Sequence, residues 1–537
     1  SIDKAGMDKL KLVMTAGWNY TNPVVPLGVA GRHPFTTLSV STYDDAIKWL
    51  ALSYPAVDEE LAAIYLQVTG KSEQDSVNIF NKAIKPAVLP QGSWSYNGGA
   101  FTIHRSGDRM AMLKGYNKDV WSAEIYTKDN RFGRYQSHGS VHVIPNGKDS
   151  EALGYQQNGW DWNRNPGTTS IHLPLDLLES PKTSTVMVRS EEGISGSVSL
   201  QDKYSLFTFK HKAPSNITNF ESSFVACKQV LTIGDKLYLT GNNISNTDAS
   251  NDTETTLFQL AITSKSQGLW INNQHITQDN YSQVISSGDW LIDDNGVGYY
   301  LINVPKVKIQ RAVQTSKHNK TKADTSGLFS SAWIDHGTAP DKARYEYIMV
   351  MQATPQQMTA LAQEMQNGPL FKVLTEDLDK QVVWSKADNL YGYTSYIAST
   401  FNQGPITDID TTALVLAKVS SAQIDLSITA PELNLTNNEQ PIKAIPVTVE
   451  VKGIWQTDSV PFTHTDNSTI ITAKSLFGQS VNVILSPLDA EKPVEPPVQP
   501  PVVPVDPPAE PPKNSGGSFD FSLLAFLGLI MALRLKP

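Results

Sequence analysis

Between Val120 and Gly139 the chain reads VWSAEIYTKDNRFGRYQSHG. This stretch holds the acid Glu124, the arginines Arg131 and Arg134, the rings of Trp121, Tyr126 and Tyr135, and His138. A guanidinium fork matches a carboxylate or sulfate, and a ring face covers a pyranose, so the combination suits an anionic sugar. The same residues would also make a polar edge strand and a turn leading into a solvated loop. The rest of the chain has to separate the two readings.

Other chemistries find little support. There is no G-x-S-x-G elbow, P-loop, H-E-x-x-H, C-x-x-C or glycine-rich dinucleotide fingerprint. Asp248 to Glu254 (DASNDTE) has the acidic density of a calcium loop but not its glycine or spacing, and reads as a solvated turn. Asp408 and Asp410 read as turn residues. None of the ten histidines falls in ligand spacing, and His142 and His172 alternate with apolar neighbours as sheet residues do. No cofactor is implied; a divalent cation is left open. The lone cysteine, Cys227, excludes an intrachain disulfide and sits in an apolar run, SSFVACKQVL, that suits a core. A net charge of −9 argues against nucleic acid as a partner, whereas a local basic cleft on an acidic protein can still attract a polyanion.

The elements that must position these residues follow from periodicity. With 537 residues, 40% hydrophobic and 18% charged, the chain can bury several ordinary cores. Residues 1–88 read as helical: Met7, Leu10, Val13 and Met14 recur at helix spacing, and Pro23 and Pro26 end that pattern. Thr42 to Asp45 resembles a capping box with Thr42 as N-cap, and Asp58–Val68 and Gln74–Ile84 are two more amphipathic helices. Four short helices are too few for a domain and suggest the end of a larger helical assembly. After Pro90 the period becomes two, in Ala100–His104, Met110–Lys114, Ser140–Ile144, Tyr204–Phe209, Phe224–Ile233 and Lys236–Thr240. Thr256–Thr263, Val297–Asn303 and Tyr345–Met351 continue it, separated by turns such as Asn97-Gly98-Gly99, Asn146-Gly147 and Asp294-Asn295-Gly296. So many strands with almost no helix between them predict a large antiparallel sandwich over 89–368. The helix Pro355–Gln366 marks its end, and a smaller β domain over 369–487 follows, with strands such as Ala413–Val419 and Val447–Val451. The fold class is thus mainly β with an N-terminal helical segment.

Half the residues from Pro493 to Pro512 are proline, which makes 488–514 an extended spacer reaching roughly 60 Å at about 3.1 Å per residue. The tail 515–537 has a glycine pair, the apolar run Phe521–Leu533 and the basic residues Arg534 and Lys536. Helical, that run covers about 20 Å against a hydrocarbon core of about 30 Å, which suits a sorting or anchoring segment. It resembles the GlyGly-CTERM tails of bacterial surface-directed proteins, thought to be cleaved and lipid-anchored. An exported protein, extracellular or attached to the cell surface, is expected.

Several longer strings resemble polysaccharide lyase family 8, and within it the chondroitin sulfate ABC lyases. They are AGRHPF from Ala30, LPQG from Leu89, NGGAF from Asn97, KDNRFGRYQSHG, and GWDWNR from Gly159. ETTLFQ from Glu254, GDWLID from Gly288 and SSAWIDH from Ser330 follow in the same order. The resemblance spans about residues 5–487. It implies an α/α toroid, of which residues 1–88 are the end, then an antiparallel super-sandwich and a small C-terminal β-sandwich.

It also implies cleavage of glycosaminoglycans by β-elimination. The C5 proton of a uronic acid leaves, the 4-O-glycosidic bond breaks, and a 4,5-unsaturated uronate remains. A site must neutralise the carboxylate, supply a base and protonate the leaving oxygen. In the family a tyrosine does most of the proton transfer, assisted by a histidine, an arginine and a glutamate. Arg32, in AGRHPF, matches the arginine, and Glu124, in WSAE, matches the glutamate. Thr127 stands where many members carry asparagine and keeps only a hydroxyl for the sugar. Substrate contacts are expected from Thr127, Arg131, Arg134, Trp160, Trp162 and Arg164. The bland alternative is that the arginines pair neighbouring acids and the tryptophans fill the core. The family's tyrosine and histidine precede the arginine, and no residue before Arg32 matches them; Tyr20 stands in another context. A C-terminal part of a lyase, inactive without an upstream half, is therefore expected. The competing expectations are a surface-tethered glycan-binding or scaffold protein and a non-functional remnant.

Overall fold

The computed structural model describes residues 3–20, 41–53, 56–145, 154–190, 194–214, 217, 223–433 and 443–488. Among the described residues the chain opens in four helices, three of them with caps that set their ends. In α1, Lys4–Asn19, the Asp3 carboxylate accepts from the Gly6 amide at 2.8 Å. α2, Ser41–Ser53, already contains Thr42, so the expected N-cap is corrected to a position inside the first turn. α3, Glu59–Thr69, is capped by Asp58, with Glu59 and Glu60 beside the positive helix end, and closes on left-handed Gly70. α4, Glu73–Phe80, begins in a reciprocal capping box of Ser72 and Asp75 and stops at left-handed Asn81, short of the expected Ile84. Buried Ile47, Leu61, Ile64 and Leu66 provide the apolar interior of this segment, and Tyr65 meets Phe80 edge-on at 5.8 Å.

α1 leans on the first sheet. The Tyr96 hydroxyl donates to the Ala16 carbonyl at 3.1 Å, and Arg105 donates to the carbonyls of Trp18 and Asn19 at 3.3 and 3.2 Å. Tyr20 stands edge-on to Tyr96 and Phe101. That sheet has four strands, Gly92–Tyr96, Phe101–Ser106, Arg109–Lys114 and Ser140–Pro145, paired antiparallel. A nine-stranded and a five-stranded sheet follow. Between these sheets lies one continuous apolar core that includes Leu239, Phe258, Tyr299, Ile309, Ala332 and Tyr347. Cys227 is buried in Val225–Ile233, in the core as expected. The longest hairpin, Val307–Lys317 with Asp324–Thr338, runs in unbroken register from Val307 opposite Ile334 to Lys317 opposite Asp324. Period-two reading did not find these two strands; toward the tip, residues 314–317 and 324–326 are polar without alternation.

Two short helices interrupt the strands. α5 is Leu175–Leu178, and α6, Pro355–Asn367, agrees with the expected Pro355–Gln366 to within one residue. A capping box of Thr354 and Gln357 starts α6, and its buried Met358 and Leu361 share a second core with Tyr238, Phe371 and Leu416. From Phe371 onward a seven-stranded and a five-stranded sheet enclose a third core around Val415, Leu426, Val449 and Ile471. There Asp410, just after the strand Ile406–Ile409, accepts from the Thr448 amide of the neighbouring strand at 2.8 Å, and Asp408 lies inside Ile406–Ile409 and not in a turn. The described residues are mainly β, with four helices before the first strand and two among the strands. No described helix is long and apolar enough to cross a membrane; the proline-rich spacer, the apolar tail, Asn146-Gly147 and the AGRHPF string lie outside the described residues.

Candidate active site

Glu124 is placed by a very small piece of sheet. Glu124–Ile125 pairs with Val186–Met187, Glu124 facing Met187 and Ile125 facing Val186. The Ser122 amide donates to the Val188 carbonyl at 2.7 Å, while the Val188 amide donates to the Ala123 carbonyl at 2.8 Å. Two residues on one side thus oppose one on the other, the signature of a bulge. Ala123, Ile125, Val186, Val188 and Ile217 turn inward and form their own small core. Glu124 is left half-buried on the outer side, with Trp121, Thr185 and Met187 exposed on the same ribbon. Its carboxylate accepts the Thr185 hydroxyl at 3.2 Å, and its carbonyl accepts the Asn130 amide at 2.8 Å.

Asn130 holds the turn that follows. It is fully buried, and its side-chain oxygen accepts from Asn319 at 3.1 Å. A Cβ at Gly133 would lie 2.2 Å from that oxygen, so glycine is required there by space. The turn brings half-buried Thr127 near Glu124, and the Thr127 amide donates to the Lys182 carbonyl at 3.1 Å. Arg32, the expected partner of Glu124, lies outside the described residues.

The rest of the opening stretch is not a solvated loop. Arg134 is fully buried and donates to the carbonyls of Leu177 and Glu179 at 3.1 and 3.2 Å, at the C-terminal end of α5, where a cation is favoured. Tyr135 donates to the Ile171 carbonyl at 3.1 Å. His138 packs between Tyr116 and His211, and burial holds its pKa well below the usual value, so it is neutral. Arg131 forms an ion pair with Glu179, which also takes Lys322 at 2.6 Å.

GWDWNR packs on the long hairpin of the five-stranded sheet. A Cβ at Gly159, which has a φ of +82°, would sit 2.3 Å from the Gly327 amide, so the loop can approach that hairpin only through glycine. Trp160 is buried among Tyr155 and Phe329, and Trp162 donates to the Lys317 carbonyl at 2.9 Å and packs on Phe132. Arg164 grips Glu254 through two hydrogen bonds of 2.8 and 2.9 Å, lies 3.2 Å from Asp161, and covers the Trp333 ring at 3.5 Å. His172 donates to Glu254 at 2.9 Å. Burial alone would lower the His172 pKa, but the bond to Glu254 and the charges of Asp161 and Glu254 outweigh it, and the net shift is upward. Burial likewise opposes ionisation of Glu254, and His172 and Arg164 more than reverse this.

These placements correct several readings. Arg134, Trp160 and Trp162 are buried, and Arg164 is held by Glu254, Asp161 and the Trp333 ring. His172 follows the strand Thr169–Ile171 and belongs to an ionic cluster rather than to a sheet. Asp248 does form a turn, accepting from the Ser250 and Asn251 amides, whereas Glu254 is a buried strand residue. Sequence reasoning missed Thr185, Asn130 and Lys182 as neighbours of Glu124 and Thr127. No spacing could reveal them, because Thr185 and Lys182 arrive from a separate loop.

The site's setting recurs in known proteins. Residues 91–362 match polysaccharide lyase family 8, super-sandwich domain, and residues 1–75 match the lyase catalytic domain. The chain is 42% identical over 496 residues to the chondroitin sulfate ABC endolyase of Proteus vulgaris, covering 91% of this chain and 48% of that protein. A chondroitin sulfate ABC exolyase of the same organism is 30% identical over 451 residues, covering 80% and 43%. The fold superimposes on the Streptomyces coelicolor A3 chondroitin AC lyase with a TM-score of 0.67 at 16% identity, covering 89% of this chain and 65% of that one. The chain spans about half the length of the ABC lyases it matches. The super-sandwich match takes in just over half of the residues, and with it the chain belongs to polysaccharide lyase family 8.

Proposed function

We propose that this chain is the C-terminal part of a glycosaminoglycan lyase. It acts by β-elimination at a uronic acid and releases 4,5-unsaturated products. Chondroitin and dermatan sulfate are the first substrates to test, with hyaluronan as a further one. The observation that carries this reading is the 42% identity to an ABC endolyase along nearly the whole chain. The outward, half-buried setting of Glu124 supports it. In this reading Arg32 neutralises the uronate carboxylate as C5 loses its proton, and Glu124 acts with it. Thr127 offers one hydroxyl to the same sugar. The tyrosine and histidine that move the proton in this reading are supplied, for testing, by the N-terminal half of a relative. Arg131, Arg134, Trp160, Trp162 and Arg164 act as scaffold. The proline-rich spacer and apolar tail carry the protein to the bacterial surface.

The test is ultraviolet absorbance of unsaturated uronate on chondroitin sulfate, with this chain alone and with an added N-terminal half of an ABC lyase. Product is expected only from the pair. Robust product from the chain alone would remove the need for an upstream base. Its absence from a folded, assembled pair would leave glycan binding or scaffolding as the role.

A further inference from the structure

Three segments far apart in sequence meet beside Glu124 and Thr127. The first is the turn 127–131, the second the loop 179–182, and the third the tip of the long hairpin, 317–324. Their union is built from main-chain and amide bonds. The Ser180 amide donates to the Arg131 carbonyl at 2.8 Å, the Thr127 amide to the Lys182 carbonyl at 3.1 Å, and the Phe132 amide to the Asn319 side chain at 2.8 Å. Asn319 in turn donates to Asn130, the residue that supports the Glu124 carbonyl.

The charges at this junction are unbalanced. It carries the cations Lys128, Arg131, Lys182, Lys317, Lys320 and Lys322 against the acids Asp129, Glu179 and Asp324. Glu179 takes both Arg131 and Lys322, and Asp324 takes Lys317 at 2.5 Å. Lys128, Lys182 and Lys320 are exposed, and among the described residues none of them enters an ion pair. Asp129 accepts the Tyr126 hydroxyl at 3.3 Å. A cationic surface thus stands on a chain whose net charge is −9, next to the carboxylate assigned to catalysis. Such a contrast draws a polyanion to one place and repels it elsewhere.

We infer that Lys128, Lys182 and Lys320 form a subsite for the sulfate and carboxylate groups of a glycosaminoglycan chain running outward from Glu124. This rests on the lyase reading of Glu124 and Thr127 and adds to it a second zone of contact. The hairpin tip is the ruler: it brings Lys320 to a loop that otherwise holds only Lys128 and Lys182. Contact there is electrostatic and not shape-specific, so it should discriminate by charge density, favouring a sulfated chain over hyaluronan.

The experiment is calorimetric titration of the full 537-residue chain with chondroitin sulfate oligosaccharides at several salt concentrations. The triple variant Lys128→Glu, Lys182→Glu, Lys320→Glu should bind at least about tenfold more weakly and lose most of the salt dependence. The triple Lys→Arg variant keeps the charges and should bind like the parent, and the triple Lys→Gln variant, which introduces no repulsion, should fall between. Equal affinity and equal salt dependence for parent and Lys→Gln protein would overturn the subsite, and so would a parent that does not bind. The lyase reading stands or falls separately, on unsaturated product from the assembled pair.

Discussion

Glu124 and Arg164 invite comparison because each is a charged residue in a string that resembles the ABC lyases, with aromatic residues close by in sequence. Arg164 is clamped at both ends: Glu254 engages its fork, Asp161 lies alongside, and Trp333 covers its face. Glu124 stands on a two-residue strand pair above a core of five small and aliphatic side chains, with its outer side half-open. The first arrangement fastens a loop to a sheet. The second holds a half-buried carboxylate, bonded to the Thr185 hydroxyl, on the outer side of a small ribbon. Charge next to an aromatic ring is therefore not by itself a sugar site; what distinguishes the two is how deeply the group is buried and what it is bound to.

The strongest way to break this contrast is to remove Arg164. Glu254 would remain buried without its guanidinium, and losing one partner of a buried pair costs about 3–5 kcal/mol. Arg164→Ala should lower the denaturant midpoint accordingly, and activity of the assembled enzyme should fall only as far as the folded fraction falls. A stability change under about 0.5 kcal/mol would mean that the clamp is not a structural element.

Glu124→Gln should do the reverse. Stability should change by less than about 0.5 kcal/mol, since the residue sits at an exposed ribbon edge. Turnover by the assembled pair should drop about a hundredfold, equivalent to about 2.7 kcal/mol in the barrier. Wild-type turnover in Glu124→Gln would take this residue out of the site.

Much of this architecture was legible in the sequence, and the reason is local. α6 was bounded to within one residue because Thr354, Pro355 and Gln357 announce its start within four positions. Met110–Lys114 and Ala413–Val419 were visible because their alternation or apolar run is complete in itself. What stayed hidden depends on remote partners. Arg164 and Glu254 are ninety positions apart, so nothing in GWDWNR tells a sugar-binding guanidinium from a clamped one. Trp160 and Trp162 present the same ambiguity, settled only by Phe329 and Phe132. His172 looked like a strand residue because its neighbours alternate, while its role comes from Glu254.

The clamp should also show itself in pH dependence. The His172 pKa is raised on folding, so its contribution is fully present below about pH 6.5, the unfolded value. That contribution is lost as pH rises through the higher folded value. Thermal midpoints should therefore fall from mildly acidic to mildly alkaline pH. His172→Gln should flatten that slope, whereas Glu124→Gln should leave it in place. An unchanged slope in His172→Gln would assign the dependence to another group.

The smallest effect, and the finest test of the open side, belongs to Thr127. Its amide is fixed by the Lys182 carbonyl, so its backbone position does not depend on the side chain, and asparagine tolerates turns well. Thr127→Asn should therefore move stability by no more than about 0.5 kcal/mol. The amide offers two donors in place of the hydroxyl's one, directed at the sugar bound beside Glu124. If Thr127 faces substrate, KM of the assembled enzyme should fall severalfold with little change in kcat, because a hydrogen bond made equally to substrate and transition state adds uniform binding. A KM equal to that of the parent would place Thr127 in the supporting turn with Asn130, and would narrow the open side of the ribbon to Glu124 and its immediate neighbours.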